Sequence, residues 1–128
     1  MAEMSNYLEN ALVNATLRNT SYTSPTTTYL ALYTSDPTDA DTGTEVTGGS
    51  YVRQSITFSA PSNGVTSNSA AIEFPQCTAD WGTVSHIGIR DAVTTGNLLY
   101  HTALDASKVI NNGDIFKITS TNLTVTLA

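Results

Sequence analysis

The chain is 128 residues long and 12% of its residues are charged, about half the roughly 25% of an average soluble domain. Its net charge of −6, with only five Lys and Arg residues, leaves no basic surface to grip a phosphate backbone, so we expect no nucleic-acid partner. No apolar run approaches the roughly 20 residues of a membrane span, and the N-terminus lacks the features of a secretory signal, so we expect no membrane association. This length predicts a single domain over residues 1–128.

The first predicted element is a helix over about residues 5–19. Asn6 followed by Glu9 has the arrangement of a capping box, and Arg18 falls in the last turn, where it favours the carbonyl end of the helix dipole. The apolar residues follow the spacing of a helix that buries one face: Leu8, Ala11, Leu12 and Ala15. Because this face is short and narrow, the helix must pack on a sheet or on a neighbouring subunit.

From Pro25 onward, short runs of Thr, Val, Ile, Tyr and Phe are separated by Gly, Pro, Asn and Asp, which is typical of strands and turns. We predict seven strands, over residues 27–33, 51–59, 69–74, 84–90, 98–104, 114–119 and 122–127. Asn63-Gly64 and the NNGD run at 111–114 are turn signals. The pattern predicts a mainly β fold, an antiparallel β-sandwich or barrel of about seven strands over about residues 26–127, with one N-terminal α-helix.

Residues 35–50 form the one long predicted loop, which is acidic and rich in Gly. Its carboxylates could ligate calcium, but their spacing does not follow the alternate-position pattern of a helix-loop-helix calcium site. We therefore interpret this acidic loop as a solvated surface segment. Its acidic residues are Asp36, Asp39, Asp41 and Glu45.

The stretch TADWGTVSHIGIRD at 78–91 gathers rare residue types, so it is the first place to look for chemistry. Alternation along the strand places Ile87 and Ile89 on the core face and His86 with Arg90 on the opposite face, which makes His86 a surface or interface residue. His86 and His101 could share a metal across neighbouring strands, but no third ligand stands at a convincing spacing, so we expect no metal. We interpret Asp80, Trp81 and Gly82 as the turn that enters the strand.

No catalytic motif is evident elsewhere. No Ser lies in a Gly-x-Ser-x-Gly elbow, and Glu73 alternates with Ile72 and Phe74 as an exposed strand residue. Cys77 has no partner in the chain and is expected to be a small buried apolar residue. We therefore predict no enzymatic activity and no cofactor. Trp81 and the six Tyr could stack on sugar rings, although a single Trp before Gly is more often a packing anchor.

The order of these segments resembles a family of small tailed-bacteriophage virion proteins, described as phage tail fibre or Gp80-like proteins. The resemblance runs from SNYLENALVNATLRN through YLALYTSDPTDADTGTEVTGGSYVRQSITF and TADWGTVSHIGIRDA to GNLLYHTALDASKVINNGDIFKI and NLTVTL, almost the whole chain. It implies a virion component that is assembled in the cytoplasm of the bacterial host.

The absence of repeats and coiled-coil segments in so short a chain favours an accessory piece over a long fibre shaft. Our preferred expectation is a capsid decoration (cement) protein that binds the major capsid protein or other virion proteins as a homo-oligomer, with a trimer favoured. The alternative is a short tail fibre, tail tip or baseplate module that recognises a host receptor or glycan. The candidate aromatic anchors of an interface are Tyr7, Tyr22, Tyr51 and Trp81.

Overall fold

The computed structural model describes residues 2–127, which form one helix and nine strands. The helix is α1 (Asn6–Leu17). The strands are β1 (Glu3–Met4), β2 (Thr28–Tyr33), β3 (Gln54–Ile56), β4 (Val65–Ser67), β5 (Ile72–Glu73), β6 (Gly82–Arg90), β7 (Leu98–Ile110), β8 (Lys117–Ile118) and β9 (Thr124–Thr126). The predicted mainly β class with an N-terminal helix is confirmed. Met1 and Ala128, the ends of the predicted domain, lie outside the described residues.

The strands form one five-stranded sheet, in the order β1-β7-β6-β2-β3, and two two-stranded sheets, β4-β9 and β5-β8. All strand pairs are antiparallel. Side chains from all three sheets enter one apolar cluster, including Leu32 of β2, Ile72 of β5 and Val125 of β9. Within residues 2–127 the sheets stay open and do not close a barrel.

Strands β2 and β6 were the best predicted, since they coincide closely with 27–33 and 84–90. Strand β7 extends well beyond its predicted end at 104. The predicted strand 51–59 is reduced to the three residues of β3 and an isolated bridge from Phe58 to Asn68, and the strands predicted at 69–74 and 114–119 are reduced to two residues each. β1 and β4 were missed because strands of two or three residues carry no detectable alternation. The predicted turn at Asn63-Gly64 is confirmed, with positive φ at both residues and Ser62 bridged to Val65.

The helix begins one residue earlier than the proposed capping box required. Ser5 is the N-cap, and its Oγ accepts a hydrogen bond from the backbone N–H of Leu8. The same hydroxyl donates to the carbonyl of Leu98 in β7, which fixes the start of the helix against the sheet. The capping box at Asn6 and Glu9 was therefore wrong, because Ser5 supplies the N-cap through its local hydrogen bond with Leu8 and is also bonded to β7.

The register divides the five-stranded sheet into two faces. Leu30 and Leu32 of β2 lie opposite Ile89 and Ile87 of β6, and all four are buried in the apolar cluster. This confirms the predicted core face of residues 84–90. The opposite face, which we call the second face, carries Ala31 and Tyr33 of β2, and both of these are also fully buried.

The stretch around Trp81 is a packing corner. The indole N–H donates a 3.0 Å hydrogen bond to the carbonyl of Gly49. The ring meets Tyr51 and Phe74 edge to face, at centroid distances of 5.5 and 6.2 Å. Gly82 follows with φ of 85°, a conformation that L side chains rarely adopt. This placement agrees with the interpretation of the stretch as a turn that enters the strand.

Candidate functional site

The second face of the five-stranded sheet carries three buried groups that can bear positive charge. Arg53 directly precedes β3, Arg90 ends β6, and His101 lies in β7. The acidic loop lies over this face, because one of its carboxylates contacts each of the three groups: Glu45, Asp41 and Asp39 respectively. The loop therefore acts as a cover for the sheet.

Arg90 is the centre of this arrangement and is only 6% exposed. Its guanidinium donates to both carboxylate oxygens of Asp41, at 2.8 and 2.9 Å, and to the hydroxyl of Tyr33 at 2.9 Å. It also donates to the carbonyl of Gly96, in the turn that joins β6 to β7. Although burial alone would lower the pKa of Arg90, these hydrogen bonds raise it above its ordinary value. Arg90 thus lies opposite the core, as alternation predicted, but it is buried there because the acidic loop covers it.

Arg53 makes a similar set of contacts beside β3, two strands away from β6 in the sheet. Its Nε and Nη2 donate to the two carboxylate oxygens of Glu45, each at 2.8 Å, and its Nη1 donates to the carbonyls of Ala92 and Thr95. The hydroxyl of Tyr51 donates to the same carboxylate at 2.6 Å. Burial would raise the pKa of Glu45, but the hydrogen bonds from Arg53 and Tyr51 outweigh it and lower the pKa below its ordinary value. The alternation of the predicted strand 51–59 did not indicate this burial of Arg53.

His101 contacts the loop differently, since carboxylates face both of its ring nitrogens. Nε2 lies 2.7 Å from Oδ1 of Asp39 and 3.9 Å from Oε2 of Glu3 in β1. Nδ1 lies 3.8 Å from Oδ1 of Asp36, whose other oxygen is 4.0 Å from Nε2 of His86. Both histidines thus share the second face with three carboxylates, which the sequence did not reveal.

These contacts change the interpretation of the acidic loop. Asp39, Asp41 and Glu45 are each bound to a buried group of the sheet, so the loop is not the merely solvated segment that we predicted. The loop is also tightly folded, since a Cβ at Gly43 would lie 2.6 Å from Cα of Pro37. A calcium site made from all four loop carboxylates is not formed, because arginines occupy Asp41 and Glu45.

A second feature of the surface is the apolar stripe of α1. Of the helix residues, only Leu8 is fully buried, whereas Val13 is 52% and Leu17 79% exposed. At about 3.6 residues per turn, these two residues and Tyr7 fall within one arc of roughly 120°, on the side away from Leu8. No Lys, Arg, Asp or Glu lies in this arc between residues 6 and 17.

The four candidate interface aromatics fall into two groups. Tyr7 is exposed on α1, and Tyr22 is half-buried close to it. Burial raises the pKa of Tyr22, and the neighbouring phenol of Tyr7 raises it further. Trp81 is buried and Tyr51 half-buried in the packing corner, so their rings serve the core. The role of all four as interface anchors stays a prediction, and Tyr7 and Tyr22 are the two that lie outside the packing corner.

The acidic residues and the histidine of the stretch TADWGTVSHIGIRD do not converge on one point. Asp80 and Asp91 flank the two ends of β6, about 30 Å apart for a strand of this length. Asp80 accepts from the backbone N–H of Asn112, Asp91 closes the turn to Asn97, and Nδ1 of His86 lies 2.8 Å from Oγ of Ser85. Glu73 is exposed, as predicted. Cys77 is buried, also as predicted, and its thiol donates to the carbonyl of Asn111.

The fold thus defines a small, mainly β protein of antiparallel sheets, with an N-terminal helix and an acidic loop bound to its second face. A protein-family model described as Gp80, podophage GP4 fiber I protein gp80, matches residues 3–126, and the chain belongs to this family. The resemblance to phage virion proteins is therefore confirmed, and the chain is a member of a phage virion protein family. A search of curated proteins finds no match. None of the helices formed by residues 2–127 is long and apolar enough to cross a membrane.

Proposed function

We propose that this protein is a structural subunit of a phage fibre, which binds neighbouring virion proteins through the apolar stripe of α1. The observation that carries the proposal is the exposure of Val13 and Leu17 on a helix that its own chain covers on one side only. The description of the family as a fibre protein supports the fibre as its place in the virion.

The helix itself gives the physical reason. A 12-residue helix is marginal in water unless an apolar face is packed. Here the first turn is held by Ser5 and Leu8, but the second half, which contains Val13 and Leu17, meets solvent. A partner that covers this stripe would complete the packing of the helix.

The composition of the stripe is that of a protein interface. Interface centres are depleted in charge and enriched in aromatic residues, and this arc presents Tyr7, Val13 and Leu17 between uncharged asparagines. The half-buried ring of Tyr22 extends the same region. A partner strand or helix could therefore be packed here without burying an unpaired charge. We propose a further copy of the chain, in a homo-oligomer, or another fibre protein as the partner.

Capsid decoration with the major capsid protein as partner remains an untested prediction, and the fibre description of the family favours the fibre. Recognition of a host glycan would need an exposed aromatic platform. The buried ring of Trp81 does not offer one, so we do not assign a glycan site to it.

The proposal is tested by supplying tagged variants to a phage that lacks its own copy and measuring their abundance in purified particles. Leu17→Lys and Val13→Lys should each reduce incorporation about tenfold, the equivalent of roughly 1.4 kcal/mol of lost contact energy. Thr16→Lys, an exposed position on the same helix but outside the stripe, is the matched control and should be incorporated normally. Thermal unfolding of each purified variant should be unchanged, which separates assembly from folding.

Immunogold labelling of the same particles locates the protein. Label on the fibres, with loss of incorporation only for the stripe variants, supports the proposal. Label distributed over the head would instead support capsid decoration. Normal incorporation of Leu17→Lys would show that α1 is not the contact surface.

A further inference from the structure

We propose that Glu3, Asp39 and His101 form a binding site for one divalent transition-metal ion, for which Zn²⁺ is the best match. The three residues come from β1, the acidic loop and β7, and one ligand atom of each lies within 4.8 Å of the others. His101 is the buried member, and the two carboxylates lie towards solvent.

The distances are close to those of a ligated ion. Zn²⁺ binds nitrogen and carboxylate oxygen at about 2.0–2.2 Å, so ligand atoms around one ion lie about 3–3.5 Å apart. Nε2 of His101 is 2.7 Å from Asp39 and 3.9 Å from Glu3, on either side of this range. The side chain of Glu3 is 72% exposed, so it can turn towards the ion without displacing packed neighbours.

Hydrogen bonding alone leaves one of the carboxylates unexplained. An imidazole nitrogen carries at most one proton, and the 2.7 Å contact assigns the proton of Nε2 to Asp39. Glu3 faces the same nitrogen at 3.9 Å, beyond hydrogen-bonding distance, and Asp36 faces Nδ1 at 3.8 Å. Oδ1 of Asp36 also accepts a 2.9 Å hydrogen bond from the backbone N–H of Thr38, whereas nothing in the contact between His101 and Asp39 requires Glu3.

The excess of negative charge around His101 also favours a bound cation. The carboxylates of Glu3, Asp36 and Asp39 surround a single imidazole, and among residues 2–127 no Lys or Arg forms an ion pair with them. The two other acidic groups of the loop, by contrast, each have a buried arginine. Carboxylates held this close repel one another unless a cation lies between them. A divalent ion supplies that charge.

The types of ligand select the ion. Imidazole nitrogen suits Zn²⁺ and similar transition ions, whereas Ca²⁺ and Mg²⁺ prefer oxygen ligands throughout. A set of one His and two carboxylates leaves positions for water on the solvent side. The ion would join β1, which pairs with β7 through only two residues, to the acidic loop and the sheet. No metal was expected, because His86 and His101 lack a third ligand at a convincing spacing, but the fold brings Glu3 and Asp39 to His101 from distant segments of the chain.

The test uses the full chain and ZnCl₂, with CaCl₂ and MgCl₂ as comparison ions. Titration calorimetry should give one Zn²⁺ per chain, and the melting temperature should rise with Zn²⁺ concentration in a saturable way, since a ligand that binds only the folded state stabilises it. Glu3→Gln and Asp39→Asn should each weaken binding by about tenfold or more. Both variants keep the fold, because Glu3 is exposed and the amide oxygen introduced by Asp39→Asn can still accept from His101.

Two controls make the result specific. Glu73→Gln, an exposed acid in β5, should bind Zn²⁺ as the unaltered protein does. His86→Ala should also retain binding. In NMR spectra of the unaltered protein, which has both imidazoles, Zn²⁺ should shift the resonances of His101. Binding that is unaffected by both Glu3→Gln and Asp39→Asn, or lost in His86→Ala, or absent altogether, would overturn the proposal.

Discussion

The guanidinium of Arg90 holds the carboxylate of Asp41 through two parallel hydrogen bonds, Nη1 to Oδ1 at 2.8 Å and Nη2 to Oδ2 at 2.9 Å. Asp41→Asn removes the charge that balances a buried arginine. We expect a loss of about 2 kcal/mol in the free energy of unfolding, less than the roughly 3–5 kcal/mol of a fully buried pair, because Asp41 is partly exposed.

Urea unfolding measures this loss. Asp105→Asn, an exposed acid in β7, is the matched control and should change the free energy of unfolding by less than about 0.5 kcal/mol. Equal effects of the two substitutions would show that the loop does not depend on its pairing with Arg90.

The pair of Glu45 and Arg53 makes stability depend on pH. The pKa of Glu45 is lowered from its ordinary value of 4.5 in the folded protein. A group whose pKa is lowered by folding contributes stability that is fully present above its unfolded pKa and is lost as the pH falls through its folded pKa. The difference in unfolding free energy between the protein and Glu45→Gln should therefore be constant at neutral pH and shrink below about pH 4.5.

Unfolding curves collected from about pH 7 to pH 3 provide the measurement. Glu73→Gln, which alters an exposed acid, is the control for general charge effects. A difference that grows as the pH falls would contradict the assigned direction of the pKa shift.

The sequence predicted the parts of the fold where one pattern dominates. The alternation in β2 and β6 is a property of neighbouring residues, and it correctly predicted that Leu30, Leu32, Ile87 and Ile89 share the core face. The helical spacing likewise placed Leu8 on the buried side of α1. The strands β5 and β8 were predicted to be longer than the two residues that each contains. Their pairing depends on a partner far along the chain and not on their own pattern.

The second face was misjudged because its burial is supplied by another segment. His86 and Arg90 were correctly placed opposite the core, but nothing in their strand indicates that the acidic loop covers Arg90. Likewise, His101 and Asp39 lie 62 positions apart, and only the fold brings them together. One feature of the sequence could have indicated this contact. The chain has only five Lys and Arg residues, so a predicted strand that carries one of them is a good candidate for an ion pair with the acidic loop.

Trp81 and His86 should differ sharply when replaced by Ala. Trp81 fills the packing corner and donates to Gly49, so Trp81→Ala should lower the free energy of unfolding by about 3–5 kcal/mol. His86 is half-buried and its hydrogen bond is to the neighbouring Ser85, so His86→Ala should leave stability nearly unchanged. Trp81→Phe keeps a ring but loses the hydrogen bond, and it should fall between them. The reverse order of the two Ala variants, measured by urea unfolding, would refute the structural interpretation of this stretch.

Asn68 is a fully buried polar residue whose side-chain groups are all satisfied. Its amide nitrogen donates to the carbonyls of Ala70 and Thr119 at 2.9 and 3.0 Å, and its oxygen accepts from the backbone N–H of Leu123 at 2.9 Å. Asn68→Ala leaves these three backbone groups without their partner. Since each unsatisfied buried group costs about 1–3 kcal/mol, we expect urea unfolding to show a loss of about 3 kcal/mol or more in the free energy of unfolding.

Asn68→Asp removes the two N–H donors but keeps the volume of the side chain, so it separates these two causes of destabilisation. The carboxylate can still accept from Leu123, but it places negative charge against the carbonyls of Ala70 and Thr119. It should therefore be more destabilising than Asn68→Ala at neutral pH and should recover part of that loss in acid, because a protonated carboxyl can donate again. Asn122→Ala, at an exposed position in the adjacent turn, is the control for both. If Asn68→Asp were no worse than Asn122→Ala at neutral pH, the two carbonyl contacts would not contribute to stability.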